Sequence, residues 1–192
     1  ILRFFYAHCA YCGLSITEAD YATAYLNADL DTEILMEQAD GFWAKDEHGN
    51  ILTGPKGEDL VCSLRKAIYG LAQSGRMWEI EHHGKLIEYG WEQCLSEKCF
   101  FKRKYVHSVT KEVYYACLCT YVDNLYLGFS EGDEANRNEF IVQMNQVFEL
   151  KDLGPITYSL SAKVDQCTRA HTITLHQKPM IEELVLHYFN GV

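Results

Sequence analysis

An α+β domain built on an antiparallel sheet, with helices packed on one side, is what this sequence predicts. Three observations carry that expectation. Apolar runs of strand length follow one another with short interruptions, as in "CFFKRKYV", "EVYYACLCTYV" and "NLYLGF". Segments of helical period stand apart from them, most clearly "EANRNEFIVQMNQVFEL", where Phe140, Ile141, Met144, Val147 and Phe148 fall on one side. At 192 residues, with 48% hydrophobic and 13% aromatic content, the chain has the material for one domain, or one and a fraction, with a proper core.

Each element follows from local pattern. Residues 2–12 place Leu2, Phe5, Tyr6, Cys9 and Ala10 at helical spacing, and Gly13 supplies the stop. "LSITEAD" alternates from Leu14 through Ile16, which predicts a short strand ending near Asp20. "TAYLNADLD" is a turn or short helix and "EILMEQ" a strand. Residues 44–59 are polar and carry Gly49, Gly54, Pro55 and Gly57, the marks of a surface hairpin. "LVCSLRKAIYGL" is strand then turn, and "QSGRMWEIEHHGKLIEYG" is a helical stretch closing near Gly90. "CFFKRKYV" and "EVYYACLCTYV" are strands joined by a basic loop, and "NLYLGF" completes a hairpin across Asp123-Asn124. After the helix that begins at "EANRN", two further strands are expected over "KDLGPITYSLSAKV" and "HTITLHQ", then a last helix from "PMIEELVLHYF". No internal repeat or low-complexity segment is present.

The net charge of −10 argues against a free-standing nucleic-acid binder, which usually carries basic excess. The eight cysteines are scattered, mostly inside apolar runs, and read as buried free thiols of a reducing, intracellular compartment, with cytoplasm and nucleus not distinguished. "HCAYC" holds one CxxC beside His8, but a zinc site needs a second pair at comparable spacing and none follows, so core cysteine is the reading. The apolar start "ILRFFYAHCAYCGLSI" lacks a basic leader and is broken by Arg3, His8 and Gly13, so it predicts neither a signal peptide nor a membrane span. It begins without Met inside an expected helix, as a piece of a longer polypeptide does.

Within "ACLCTYVDNLYLGF" the pair Asp123-Asn124 interrupts what otherwise reads as buried strand. A charge in a dry sheet costs several kcal/mol unless something pairs with it. Asp123 is therefore either at a hairpin tip in water or held for a cation. Asp20 is a second carboxylate at an expected strand end, and strands of one sheet can set the two side by side. Two carboxylates with substrate phosphates make a divalent-metal site, since Mg²⁺ takes few protein oxygens and keeps its other positions for water and phosphate. Spacing alone favours two ordinary strand-end or turn aspartates.

Four blocks alter that balance. "DYATAYLNADLDTEILMEQADGF", "LVCSLRKAIYGLAQSGRMW", "YVDNLYLG" and "FELKDLG" occur in order, and over nearly the whole chain the sequence resembles the reverse transcriptase of Ty1/copia-type retrotransposons. The resemblance implies the palm of a right-hand polymerase, with residues 1–192 a palm-centred partial domain. Fingers would be largely missing and the thumb or connection would begin at the C-terminus. It implies an RNA-directed DNA polymerase that adds dNTPs to a primer 3′-hydroxyl, with two Mg²⁺ ions (or Mn²⁺) as cofactor. Implied partners are an RNA/DNA template-primer and other parts of a polyprotein, with protease and integrase upstream and RNase H downstream. No membrane partner is implied.

By the same resemblance, Asp20 matches the first metal-binding aspartate of the palm and Asp123 the first aspartate of the family's Tyr-Val-Asp-Asp turn. Tyr25 matches the aromatic residue whose ring excludes a ribonucleotide 2′-hydroxyl. Gln73 and Arg76 match the block lining the nucleotide and template side, where an amide can bond sugar or phosphate and a guanidinium can pair with phosphate oxygens. Lys151 falls near the lysine region used to protonate the leaving pyrophosphate.

The chain also departs from the pattern. Asn124 stands where the family has a second aspartate, which keeps the shape and a coordinating carbonyl but removes one negative charge. Ala72 replaces a lysine, Gly75 and Ala39 replace prolines, and Ser161 stands where the family has glycine in its primer-gripping hairpin. Together these look like drift in an unselected copy, so the alternative is a degenerate, inactive relic that folds or binds nucleic acid without polymerising.

Overall fold

The structure, a computed structural model, describes residues 1–189. Helix α1 (Leu2–Cys12) leads into β1 (Leu14–Tyr21), a 3-10 turn (Ala24–Asn27), β2 (Asp29–Glu37), β3 (Val61–Lys66) and α2 (Ser74–Glu88). There follow β4 (Glu92–Gln93), β5 (Phe100–Val106), β6 (Val113–Tyr121), β7 (Asn124–Ser130) and α3 (Glu134–Asn145). The chain continues through β8 (Leu150–Pro155), β9 (Tyr158–Ser159), β10 (Ala162–Cys167), β11 (Thr172–His176) and α4 (Lys178–Phe189). The class is α+β, as expected. The elements gather into two compact units, one of Ile1–Ala22 with the chain from Gly84 onward, the other of Thr23–His83.

The larger unit is organised by a six-stranded sheet in the order β4-β5-β6-β7-β1-β8. Every neighbouring pair is antiparallel. Because side chains alternate along a strand, the sheet has two apolar faces. On one, α1 lays Leu2, Phe5, Tyr6 and Cys9 against Leu14, Ile16, Phe100, Cys117, Cys119 and Tyr126. On the other, Trp91 meets Phe140 of α3 at 5.2 Å and Phe129 at 6.3 Å, and Tyr21 meets Phe148 at 5.9 Å. Helices thus cover both faces, where the sequence predicts one. Helical period shows that α1 and α3 each have an apolar side, but not which face of the sheet each takes.

Two glycines fix how α1 joins the sheet. Gly13 takes φ +66°, the left-handed conformation that closes a helix, and its N–H donates to the Ala10 carbonyl. Gly128 has no room for a side chain, since a Cβ there would stand 2.7 Å from the Cys9 sulfur and 2.9 Å from that of Cys117. The two thiols meet at 3.5 Å over it.

The C-terminal third departs from expectation. The predicted two strands are four, because β8 joins the main sheet while β9, β10 and β11 form a small sheet of their own. That small sheet is tied to β1 by Gln166, whose amide accepts from the Ile16 N–H at 3.0 Å and donates to the Leu14 carbonyl. The strand β4 was not anticipated. The basic residues Lys102, Arg103 and Lys104 lie in β5, as expected for "CFFKRKYV". α3 ends at Asn145, so Phe148 reaches the core from beyond the helix.

The cysteines divide. Cys9, Cys117 and Cys119 are buried as expected, but Cys12, Cys62 and Cys167 are exposed. In "HCAYC" the helical turn sends Cys9 inward and Cys12 outward, so the core reading holds for the first only.

In the smaller unit β2 and β3 form a two-stranded ribbon, with Ile34 opposite Leu64 and Glu37 opposite Val61. Residues 44–59 make the expected polar hairpin, with bridges Lys45↔Ile51 and Thr53↔Asp59. Among the described residues no helix is long and apolar enough to cross a membrane.

Candidate functional site

The sheet register brings Asp20 and Asp123 to one end of the larger unit. Asp20, next to last in β1, pairs with Asn124, the first residue of β7. On its other side it pairs with Lys151 of β8. Opposed residues of an antiparallel pair project to the same face, so Asn124, Asp20 and Lys151 form one row across three strands. Asp123 occupies the two-residue turn before β7, and its carbonyl accepts the Tyr21 N–H at 2.8 Å, which ties the turn to the end of β1. β1 is an interior strand, so these groups sit at the end of the sheet and not along its edge.

The turn itself is strained. Tyr121 pairs with Asn124, leaving Val122 and Asp123 as the loop. Val122 has φ +54° while Asp123 does not have positive φ. That is the pattern of a type II′ hairpin turn, whose first position normally takes glycine. A β-branched residue held there costs on the order of 1–3 kcal/mol and persists only because the flanking strands, buried from Ala116 to Thr120 and from Leu125 to Phe129, over-determine it.

Electrostatics single out the same groups. Partial burial raises the Asp20 carboxyl above the ordinary range, the Asp123 charge raises it further, and Lys151 pulls it back. Glu18, two residues earlier on the same face of β1, is also raised, first by burial and then by Asp20. Three carboxylates therefore crowd a half-buried strip against one lysine. Hard oxygen donors under mutual repulsion suit a divalent cation of the Mg²⁺ or Mn²⁺ type, which relieves the repulsion. Asp20 and Asp123 are the two carboxylates that could share such an ion, with Asn124 paired opposite Asp20. Glu18 was missed from the sequence, although the period-two rule puts it on the face of Asp20.

Tyr25, Gln73 and Arg76 belong to the smaller unit. Tyr25 lies in the 3-10 turn with its ring 4.5 Å from that of Tyr69. Its hydroxyl stands 3.8 Å from where a Cβ on Gly75 would be. Ser74 opens α2 and its hydroxyl donates to the Ile68 carbonyl, closing the loop that carries Gln73. The Gln73 carbonyl accepts the Met77 N–H at 2.9 Å, at the start of the helix. Arg76 is exposed and 3.9 Å from Asp31. The structure thus groups Asp20, Asp123, Asn124 and Lys151 in one unit and Tyr25, Gln73 and Arg76 in the other.

Ser161 has a clear structural correlate. It and Leu160 form the two-residue loop between β9 and β10, with φ +64° and +46°. Such a turn favours glycine or asparagine.

Comparison with known proteins agrees with this frame. Residues 1–190 match the family model described as "Reverse transcriptase (RNA-dependent DNA polymerase)". The chain is 30% identical over 178 residues to the retrovirus-related Pol polyprotein from transposon TNT 1-94 of Nicotiana tabacum, covering 92% of this chain and 12% of that protein. It is 29% identical over 145 residues to the corresponding polyprotein from transposon RE2 of Arabidopsis thaliana, covering 76% and 9%. It is 27% identical over 137 residues to the truncated transposon Ty1-A Gag-Pol polyprotein of Saccharomyces cerevisiae, covering 71% and 9%. The chain therefore spans a small part of the length of these relatives. No solved structure matches it. The family match over residues 1–190 and the likeness to these transposon polyproteins lead to one assignment: the chain belongs to the reverse transcriptase (RNA-dependent DNA polymerase) family, of the Ty1/copia type.

Proposed function

We propose that residues 1–192 form the palm-centred part of an RNA-directed DNA polymerase, acting on a template-primer and dNTPs within a Pol polyprotein. The observation that carries this is the direct opposition of Asp20 to Asn124, with Asp123 in the adjoining turn and its charge felt by Asp20. Asp20 and Asp123 would hold Mg²⁺, which when bound supplies activation of the primer 3′-hydroxyl and stabilisation of the departing pyrophosphate. Lys151 carries its ammonium in the row beside Asp20, where it can meet phosphate oxygens and donate a proton from Nζ to the leaving group. Tyr25, backed by Tyr69, is the ring that would exclude a 2′-hydroxyl. Gln73 and Arg76 would bond the nucleotide and template, and Arg76 is exposed enough to exchange Asp31 for phosphate.

Asn124 favours a second reading. It leaves the row opposite Asp20 without the charge that the family's second aspartate would bring, and Ser161 occupies a turn position that favours glycine. A chain of this kind keeps the fold and the metal pair while polymerising poorly or not at all.

The test is primer extension on an RNA template with Mg²⁺, using a chimera in which residues 1–192 replace the matched segment of an active relative. Extension should be weak, Asn124→Asp should raise it at least tenfold, a difference of about 1.4 kcal/mol, and Asp123→Asn should abolish it. Unchanged extension after Asp123→Asn would refute the polymerase reading, and equal rates for Asn124 and its aspartate variant would refute the second.

A further inference from the structure

His8 and Cys12, left over from the "HCAYC" motif, meet on the outer side of α1. Four residues apart, they share one helix face, and the Cys12 sulfur lies 3.8 Å from His8 Nε2. The His8 ring is set edge-on to Phe100 at 5.5 Å and stacks on Phe4 at 6.1 Å. Beside the pair is a cavity of about 420 Å³ lined by His8, Cys12, Leu14, Phe100, Lys102 and Tyr115. Lys102 holds its ammonium 5.5 Å above the Tyr115 ring. The polymerase reading uses none of these groups.

We propose that this cavity binds a small apolar molecule bearing an α,β-unsaturated carbonyl, and that Cys12 captures it with His8 as base. A nucleophile within reach of a base, at the mouth of a largely apolar pocket with one cation on its wall, is the arrangement such an addition requires. The Cys12 sulfur bonds to the β-carbon and the C=C π pair moves toward the carbonyl oxygen. The thiol proton passes to His8 Nε2 and then from the imidazolium to the α-carbon. Atoms and electrons balance with no oxidant and no leaving group. Lys102, whose ammonium also pairs with Glu92 at 3.4 Å, is the cation on the cavity wall that can turn to the developing enolate oxygen. Burial raises the thiol of Cys12, with Cys117 adding to it, and burial lowers His8, so both shifts oppose transfer of the thiol proton, and the contact of the two side chains together with binding in the cavity is what favours attack. Cys62 and Cys167, also exposed, are outside this cavity and serve as internal references.

The experiment treats the intact chain with 2-cyclohexenone and, in parallel, with the polar reagent iodoacetamide, and follows each cysteine by peptide mass mapping. With the enone, the Cys12 rate should saturate with concentration and exceed those of Cys62 and Cys167 at least tenfold. With iodoacetamide it should show no such excess. His8→Gln should lower the Cys12 enone rate at least tenfold and leave Cys62 and Cys167 unchanged, and Lys102→Met should lower it less. Protection of Cys9 and Cys117 from labelling reports that each variant is folded. A linear concentration dependence at Cys12 in the unaltered chain, with rates like those of the reference thiols, would overturn the proposal without recourse to any variant.

Discussion

Asn124→Asp is the substitution that most directly probes the carboxylate strip. Residue 124 lies directly opposite Asp20, a pairing that puts the two Cα atoms about 5 Å apart. Two unit charges at about 5 Å repel by about 0.8 kcal/mol at the dielectric of water and about 3 kcal/mol at an effective value near 20. Both positions are half-buried, and solvent screening favours the lower part of that range, about 1 kcal/mol. In EDTA at pH 7 the variant should therefore unfold at lower urea, by about 1 kcal/mol in the extrapolated free energy. With Mg²⁺ or Mn²⁺ the order should invert, because a third carboxylate tightens metal binding and ligand at about a hundred times its dissociation constant stabilises by about 2.7 kcal/mol.

The pH dependence has a definite sign. The Asp20 carboxyl is raised in the folded chain, so the folded state holds its proton over an interval in which the unfolded state has released it. Stability from this group falls as pH rises through that interval. The metal-free penalty of Asn124→Asp should accordingly vanish below the ordinary carboxylate range. Equal stability of the two proteins in EDTA at pH 7, or equal stabilisation of both by metal, would refute the inference that the charges at positions 20, 123 and 124 act together.

Three further outcomes are expected. Ser161→Gly should stabilise by about 1 kcal/mol, read from urea midpoints, since glycine adopts the φ +64° that serine holds under strain. Gly128→Ala should destabilise by about 1–3 kcal/mol, because the added methyl meets two buried sulfurs that cannot withdraw. Asp133→Asn should destabilise by about 1–3 kcal/mol at pH 7, because the buried carboxylate accepts from the Ser108 N–H at 3.0 Å, the Tyr114 hydroxyl at 2.7 Å and the Asn136 amide at 2.6 Å. Burial alone would raise this carboxyl, but those hydrogen bonds outweigh it and hold it well below the ordinary range. Its stabilisation is thus complete above the ordinary carboxylate pKa and lost as pH falls toward the folded value, and the gap between Asp133 and its amide variant should close in acid-unfolding curves.

Much of this protein was legible without coordinates. Local period marked α1 with its Gly13 stop, β1 with its end near Asp20, the hairpin across Asp123 and the amphipathic α3, because those features depend on residues within a few positions of one another. The interruption of an apolar run by Asp123-Asn124 was visible for the same reason, and four ordered blocks were enough to indicate the family. Pairing between distant strands was not legible. That Asp20 faces Asn124 on one side and Lys151 on the other is a matter of register, and a one-residue slip would have turned those side chains to opposite faces. Glu18 shares the face of Asp20 by the alternation of β1 alone, whereas the separation of Cys9 from Cys12 into core and surface is set only once α1 has docked. The sequence determined which side chains share a face of each element, since that is set by backbone geometry. Which face meets which partner was decided only by the tertiary structure, because burial depends on elements about a hundred residues apart along the chain.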